Sequence, residues 1–252
     1  MNRVLLEVCV EDARGIAAAV AGGADRIELC AALDIGGLTP PVSLVRAAAH
    51  APLPVHLLAR PRVGGFHYDA ADQALVAEDI RTAADAGLAG VVIGASTADG
   101  RLDTACLARW VAQARALGTA RGRPLALTLH RAFDLVPDLP TALEEAVSLG
   151  FARILTSGGQ PRAIDALPVL RRLVAQAGER IGILAGSGIS AATLPAILGS
   201  GVREVHASCR TVVADADPAL LRFGFTAAEA RATDPAAVAA LVHMLRERTG
   251  LE

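Results

Sequence analysis

The feature that most constrains this chain is a repeated junction between helix and strand. Four segments share one pattern, a glycine followed four residues later by an aliphatic residue and two further on by a small or apolar one. They begin at Gly23, Gly87, Gly150 and Gly201. A glycine at a helix end adopts the left-handed conformation without steric cost, and a strand starts two or three residues later. Strand candidates are Val4–Val10, Arg26–Cys30, Val55–Arg60, Gly90–Gly94, Leu125–His130, Arg153–Ser157, Ile181–Gly186 and Arg203–Ser208. The four junctions lead into the second, fourth, sixth and eighth of these. Ala-rich helical stretches such as Asp12–Ala21, Ala71–Ala86, Thr104–Leu117 and Ala163–Ala177 lie between them. Strands alternating with helices make a parallel sheet. Eight of them in about 210 residues predict an α/β protein with a single TIM (β/α)8 barrel. A doubly wound sheet, the alternative, more usually has fewer strands and one switch-point crevice.

The 252 residues read as one domain. Arg210–Phe225 reads as an irregular C-terminal segment. Asp234 and Pro235 then start a closing helix over Ala236–Arg248. A net charge of -2 argues against a nucleic-acid surface. No apolar run reaches the roughly 20 residues of a membrane span. The first residues lack a secretion-signal pattern, being broken by Glu7. All 24 basic residues are Arg, which excludes a Schiff-base, PLP-attachment or phosphate-loop lysine. There is no nucleotide motif. Cys9, Cys30, Cys106 and Cys209 form no CxxC pair, so free thiols in the cytoplasm are expected.

Barrel strands are covered by helices, so their apolar residues face out and the alternate set faces the barrel axis. This puts Glu7 and Cys9 inside, then Arg26, Glu28 and Cys30, then His56 and Arg60, then Thr128 and His130, and finally Glu204, His206 and Ser208. Ordinary barrels fill this space mostly with branched aliphatics. Buried charges must pair or hold a ligand. Arg26, Arg153 and Glu204 lie near strand starts and are expected to form structural salt bridges, with His56 a satisfied core histidine. Glu7, Glu28, Arg60, His130 and His206 lie toward the strand ends, where barrel sites sit. As an enzyme, the chain would use Glu7 or Glu28 as general base and His130 or His206 as acid or electrophile. Ser157 and Gly158 after the sixth strand, Gly186 and Gly188 around the end of the seventh, and Ser208 after the eighth suit backbone contacts to an anion. Arg60 or Arg131 would clamp its charge.

Seven segments carry a resemblance: Leu6–Val10 (LEVCV), Gly22–Cys30 (GGADRIELC), Gly36–Pro40 (GGLTP), Arg60–Arg62 (RPR), His130–Asp134 (HRAFD), Arg153–Gly158 (RILTSG) and Glu204–His206 (EVH). In this order, they resemble the CutC family, named for copper homeostasis. The resemblance implies a cytoplasmic TIM barrel, a homo-oligomer such as a dimer or tetramer, and a role in copper tolerance or trafficking. It also implies Cu(I) held by cysteines at the ends of the first two strands, here Cys9 and Cys30. Adjacent strands lie about 4.8 Å apart, close enough for two thiolates to share one ion, and thiolates suit Cu(I). The chain departs from the family's RPRGGDF: Val63 replaces a glycine and Gly65 an aspartate. Two hypotheses follow. One is a copper-binding homeostasis protein. The other is an enzyme acting by acid/base chemistry on a small anionic or phosphorylated metabolite.

Overall fold

The computed structural model describes residues 3–213 and 217–249. Eight parallel strands close into a barrel in sequence order: β1 (Leu5–Val10), β2 (Arg26–Leu29), β3 (Val55–Leu58), β4 (Gly90–Ile93), β5 (Ala126–Leu129), β6 (Arg153–Thr156), β7 (Gly182–Gly186) and β8 (Glu204–Ala207), which returns to β1. The TIM barrel is therefore present, and the doubly wound alternative is excluded. Between the strands run α1 (Ala13–Gly22), α2 (Val42–Ala48), α3 (Ala70–Asp85), α4 (Thr104–Ala120), α5 (Leu139–Leu149), α6 (Leu167–Ala177) and α7 (Leu194–Leu198).

Local chemistry sets the junctions. The carboxylates of Asp12, Asp69, Asp103 and Asp138 accept from the amides of Gly15, Asp72, Cys106 and Thr141, starting four helices. Each such cap stabilises by about 1 kcal/mol. Gly23 and Gly150 end α1 and α5 with φ of 83° and 84°, as the repeated pattern predicts.

The inside–outside frame is borne out. Leu6, Val8, Ile27, Leu29, Leu57, Leu127, Leu129 and Val205 pack in the large core between sheet and helices. Cys30, Leu58 and Val92 form a small separate apolar cluster with Leu33. Glu7, Arg26, Glu28, His56, Arg60, Thr128 and His130 are buried.

Several strands stop one or two residues short of the predicted ends. Arg60, His130, Ser157 and Ser208 thus belong to the loops of the C-terminal mouth. The C-terminal segment is also more regular than expected. β9 (Arg210–Val212) pairs antiparallel with β10 (Arg231–Thr233), and α8 (Pro218–Arg222) lies between them in the chain. Residues 214–216 fall outside the described ones. Helix α9 (Pro235–Thr249) closes the fold, with Asp234 accepting from Ala236 N at 2.8 Å. It lies tight on α1: a Cβ on Gly22 would sit 2.4 Å from Val238.

Candidate functional site

The polar interior is built in two layers, set by strand register. In the lower one, Glu7 on β1 lies level with Arg26 on β2 and His206 on β8. Arg26 donates to both Glu7 and Glu204, and Arg153 donates to Glu204 at 3.1 Å and to Thr128 Oγ1 at 3.3 Å. The salt bridges expected at this level are formed. Burial alone would raise the pKa of Glu7, but Arg26 and then His206 outweigh it and hold the carboxyl well below the usual range. A glycine makes room here: a Cβ on Gly182 would lie 2.9 Å from Glu204. His56 is buried as expected but not satisfied, because its Nδ1 has no partner.

The upper layer faces the mouth. Register places Cys9 opposite Glu28. A sulfur of Cys9, a carboxylate oxygen of Glu28 and a ring nitrogen of His206 all lie within 4.8 Å of one another. The His206 side chain is 12% exposed. Its Nδ1 is 2.7 Å from Glu7 Oε1, and its Nε2 is 3.8 Å from Glu28 Oε2. Glu7 accepts the Nδ1 proton, which orients the ring and leaves Nε2 facing Cys9 and Glu28. Burial pushes the Glu28 carboxyl up to about 7; His206 pulls it down and the negative charge of Glu7 adds to the rise. Burial would lower the pKa of His206, but the pull of Cys9, then of Glu28, with hydrogen bonds to Cys9 and Glu7, raises it well above the ordinary imidazole value. The result is a compact group that stores and exchanges protons or offers mixed S, N and O donors.

These three residues line a cavity of about 750 Å³ that opens at the barrel mouth. Arg60, Phe66 and His130 also line it, as do Gly188, Ser208 and Arg210. His130 Nδ1 accepts from Ala132 N at 3.1 Å, while its Nε2 has no partner. Burial, with the charge of Arg60 adding, brings its pKa down to about 3.

The structure reassigns other expected residues. Cys30 does not line the cavity or join the three-donor cluster. Its thiol donates to Val10 O at 3.4 Å, and burial, with the charge of Glu28 adding, keeps it protonated. Register matches Cys9 with Glu28, so Cys30, just past the end of β2, sits two residues further on, among Leu58 and Val92.

The loop after β6 is already filled by a carboxylate. Asp134 accepts from Ser157 N at 3.0 Å and from Gly159 N at 3.0 Å, and Arg131 donates to it at 2.8 Å. Arg131 donates to Ser157 Oγ at 2.6 Å as well, and Gly158 N donates to Thr156 Oγ1. Arg131 and Ser157 therefore hold the protein's own anion, together with Gly159, while Gly158 acts through Thr156, whose hydroxyl donates to Asp134. Asp134 is the residue that sequence reasoning missed. The signal lay in HRAFD, where it follows Arg131 by three positions. Gly186 lies within β7 and acts as a spacer, since a Cβ there would come 2.6 Å from Leu155 and 3.5 Å from His206. At Gly65, where the family has an aspartate, a side chain would have room, because an added Cβ meets nothing within 4 Å.

A closed (β/α)8 barrel with a polar cluster lining a cavity at its C-terminal mouth defines a TIM-barrel protein whose cluster lies where barrel sites usually sit. Residues 4–211 match the CutC family, and the chain belongs to that family. A CutC family protein of Sinorhizobium medicae is 52% identical over 96% of both chains. One from Caulobacter vibrioides is 51% identical over 97% of this chain and 98% of its own. A solved structure titled a putative copper homeostasis protein CutC, from Streptococcus agalactiae, superposes with a TM-score of 0.75 at 28% identity. It covers 81% of this chain and 98% of that one. Thiamine phosphate pyrophosphorylase from Pyrococcus furiosus, at 15% identity, 98% and 97% coverage and TM-score 0.56, shares the fold alone.

Proposed function

We propose that this CutC-family chain is a copper homeostasis protein that takes up Cu(I) at Cys9 and His206, with Glu28 as a third and weaker donor. The observation that carries this reading is the convergence of three ligand atoms within 4.8 Å at the cavity floor. A thiolate and an imidazole are soft to borderline donors suited to Cu(I), while a carboxylate is harder. Glu7 supplies the carboxylate partner that a ligating histidine commonly has. Binding would release a proton from His206. All four cysteines are free thiols, which fits a reducing cytoplasm. Exposed Leu220, Leu221, Phe223 and Phe225 near the C-terminus support self-association.

The test is an anaerobic Cu(I) titration against a competing chelator. Cys9→Ser and His206→Asn are expected to weaken binding on the order of 100-fold or more, and Cys30→Ser to leave it unchanged. Wild-type affinity in Cys9→Ser overturns this site.

A second reading is favoured by cavity size and by Glu28. At about 750 Å³ the space suits a small molecule rather than a bare ion. A buried carboxyl whose pKa burial raises, 3.8 Å from an imidazole, offers a general base and a general acid side by side. On this reading the chain is an enzyme of acid/base chemistry on a small anionic metabolite, with Glu28 and His206 as the acting pair.

A further inference from the structure

The same cavity is lined by a group that neither the proposed copper site nor Glu28 uses. Arg60 is 8% exposed and His130 4% exposed. Arg60 donates Nη1 to Ile35 O at 3.0 Å and to Gly37 O at 2.7 Å, and Nη2 to Gly64 O at 3.1 Å. Those are neutral carbonyls. Among the described residues no carboxylate pairs with this guanidinium, although every other interior arginine has one: Arg26 with Glu7 and Glu204, Arg153 with Glu204. Its Nε is buried without a partner.

His130 is orphaned in a matching way. Nδ1 accepts the Ala132 amide, so it carries no proton, and the neutral ring is the Nε2–H tautomer. That Nε2–H is buried and has no acceptor. Both groups pack on one side chain: the Phe66 ring lies 4.6 Å from the His130 ring and 5.4 Å from Arg60 Cζ. On its other side the His130 ring is pressed against Gly94, where a Cβ would fall 2.4 Å from it. A buried charge without a counter-ion and two N–H donors without acceptors are each costly. Such groups call for an acceptor, supplied by a ligand or by bound water.

We infer that Arg60 Nε–H and His130 Nε2–H form a seat for one carboxylate group of a small-molecule ligand, closed over by Phe66. Charge and donor number select the class. One unpaired positive charge and two N–H donors match a monoanionic carboxylate, whereas a phosphate dianion would require more of both. The seat rests on the small-molecule reading and is independent of copper. Entry requires the Phe66 ring to move. The ring sits on the exposed loop after β3, next to Gly64 and Gly65. His130, uncharged in its buried state, presents Nε2–H as a donor to the carboxylate.

The experiment is ring-nitrogen NMR of the metal-free full chain labelled with 15N-histidine, titrated with pyruvate, acetate and inorganic phosphate. His130 is assigned by the loss of its signal in His130→Gln. Expected is a saturable shift of the His130 Nε2–H signal with a carboxylate. Arg60→Gln should weaken that binding about tenfold or more, and Cys9→Ser should not. Because Arg60 also pins two loops, the wild-type shift stands as evidence even if Arg60→Gln does not fold. A shift with phosphate alone overturns the carboxylate assignment. Carboxylate binding that moves His206 but leaves His130 unmoved overturns the seat and spares the small-molecule reading. No shift of either histidine overturns both.

Discussion

The lower and upper polar layers of the barrel interior use the same side-chain chemistry and differ in how completely it is paired. Below, Glu7, Arg26, Glu204 and Arg153 form a chain of ion pairs in which every charge has an opposite neighbour. Above, Glu28 faces an imidazole at 3.8 Å and the Cys9 sulfur, with no arginine paired to it, and Arg60 has carbonyls alone. Burial costs both layers alike, so pairing tells scaffold from site. His206 is the joint between them, bonded to Glu7 below and facing Cys9 and Glu28 above.

This contrast is most easily broken at Arg26. Arg26→Met leaves Glu7 with His206 alone and Glu204 with Arg153 alone, and is expected to cost about 3–5 kcal/mol in urea denaturation. Part of that loss should return at low pH, where Glu7 takes up a proton. A cost no greater than that of a change in the upper layer would mean that the ion pairs are not the scaffold.

His56 sharpens the contrast through pH. Burial brings its pKa down to about 3 from an ordinary 6.5, with Glu7 opposing the fall. A histidine with a depressed folded pKa adds stability above 6.5 that is lost as pH falls toward 3, because the unfolded chain binds the proton first. Between pH 7 and pH 5 the protein should lose about 2 kcal/mol more than His56→Gln does. Paired denaturation curves at the two pH values measure this difference. Equal losses would show that His56 is protonated in the fold.

The smallest effect is expected at Glu28. Burial holds its carboxyl above the ordinary range, so the ionised form disfavours the fold and Glu28→Gln should cost no stability at pH 7. A large destabilisation would assign Glu28 to the scaffold with Glu7.

Much of this was legible in the sequence because it depends on local rules. The glycine junctions, the aspartate caps and the period-two alternation are each set by a few neighbouring residues. They predicted the eight strands, the barrel and the inward set from Glu7 to His206. Where local rules ran out, expectations drifted. Residues around Arg210 read as irregular because a three-residue ribbon such as β9 with β10 is made by pairing, not by propensity. Phe66 follows the Val63 and Gly65 departures in the loop after β3, and nothing local shows that it lies on His130.

The tertiary structure decided the partners. Alternation says that Cys9 and Cys30 both face the axis, but the stagger needed to close eight strands fixes the level of each, and it sets Cys9 beside Glu28 rather than Cys30. Likewise, the loop after β6 has the composition of an anion cradle, and only the fold brings Asp134 into it from 22 residues away. Which way a side chain points is a property of one strand, whereas what it meets there is a property of the closed barrel.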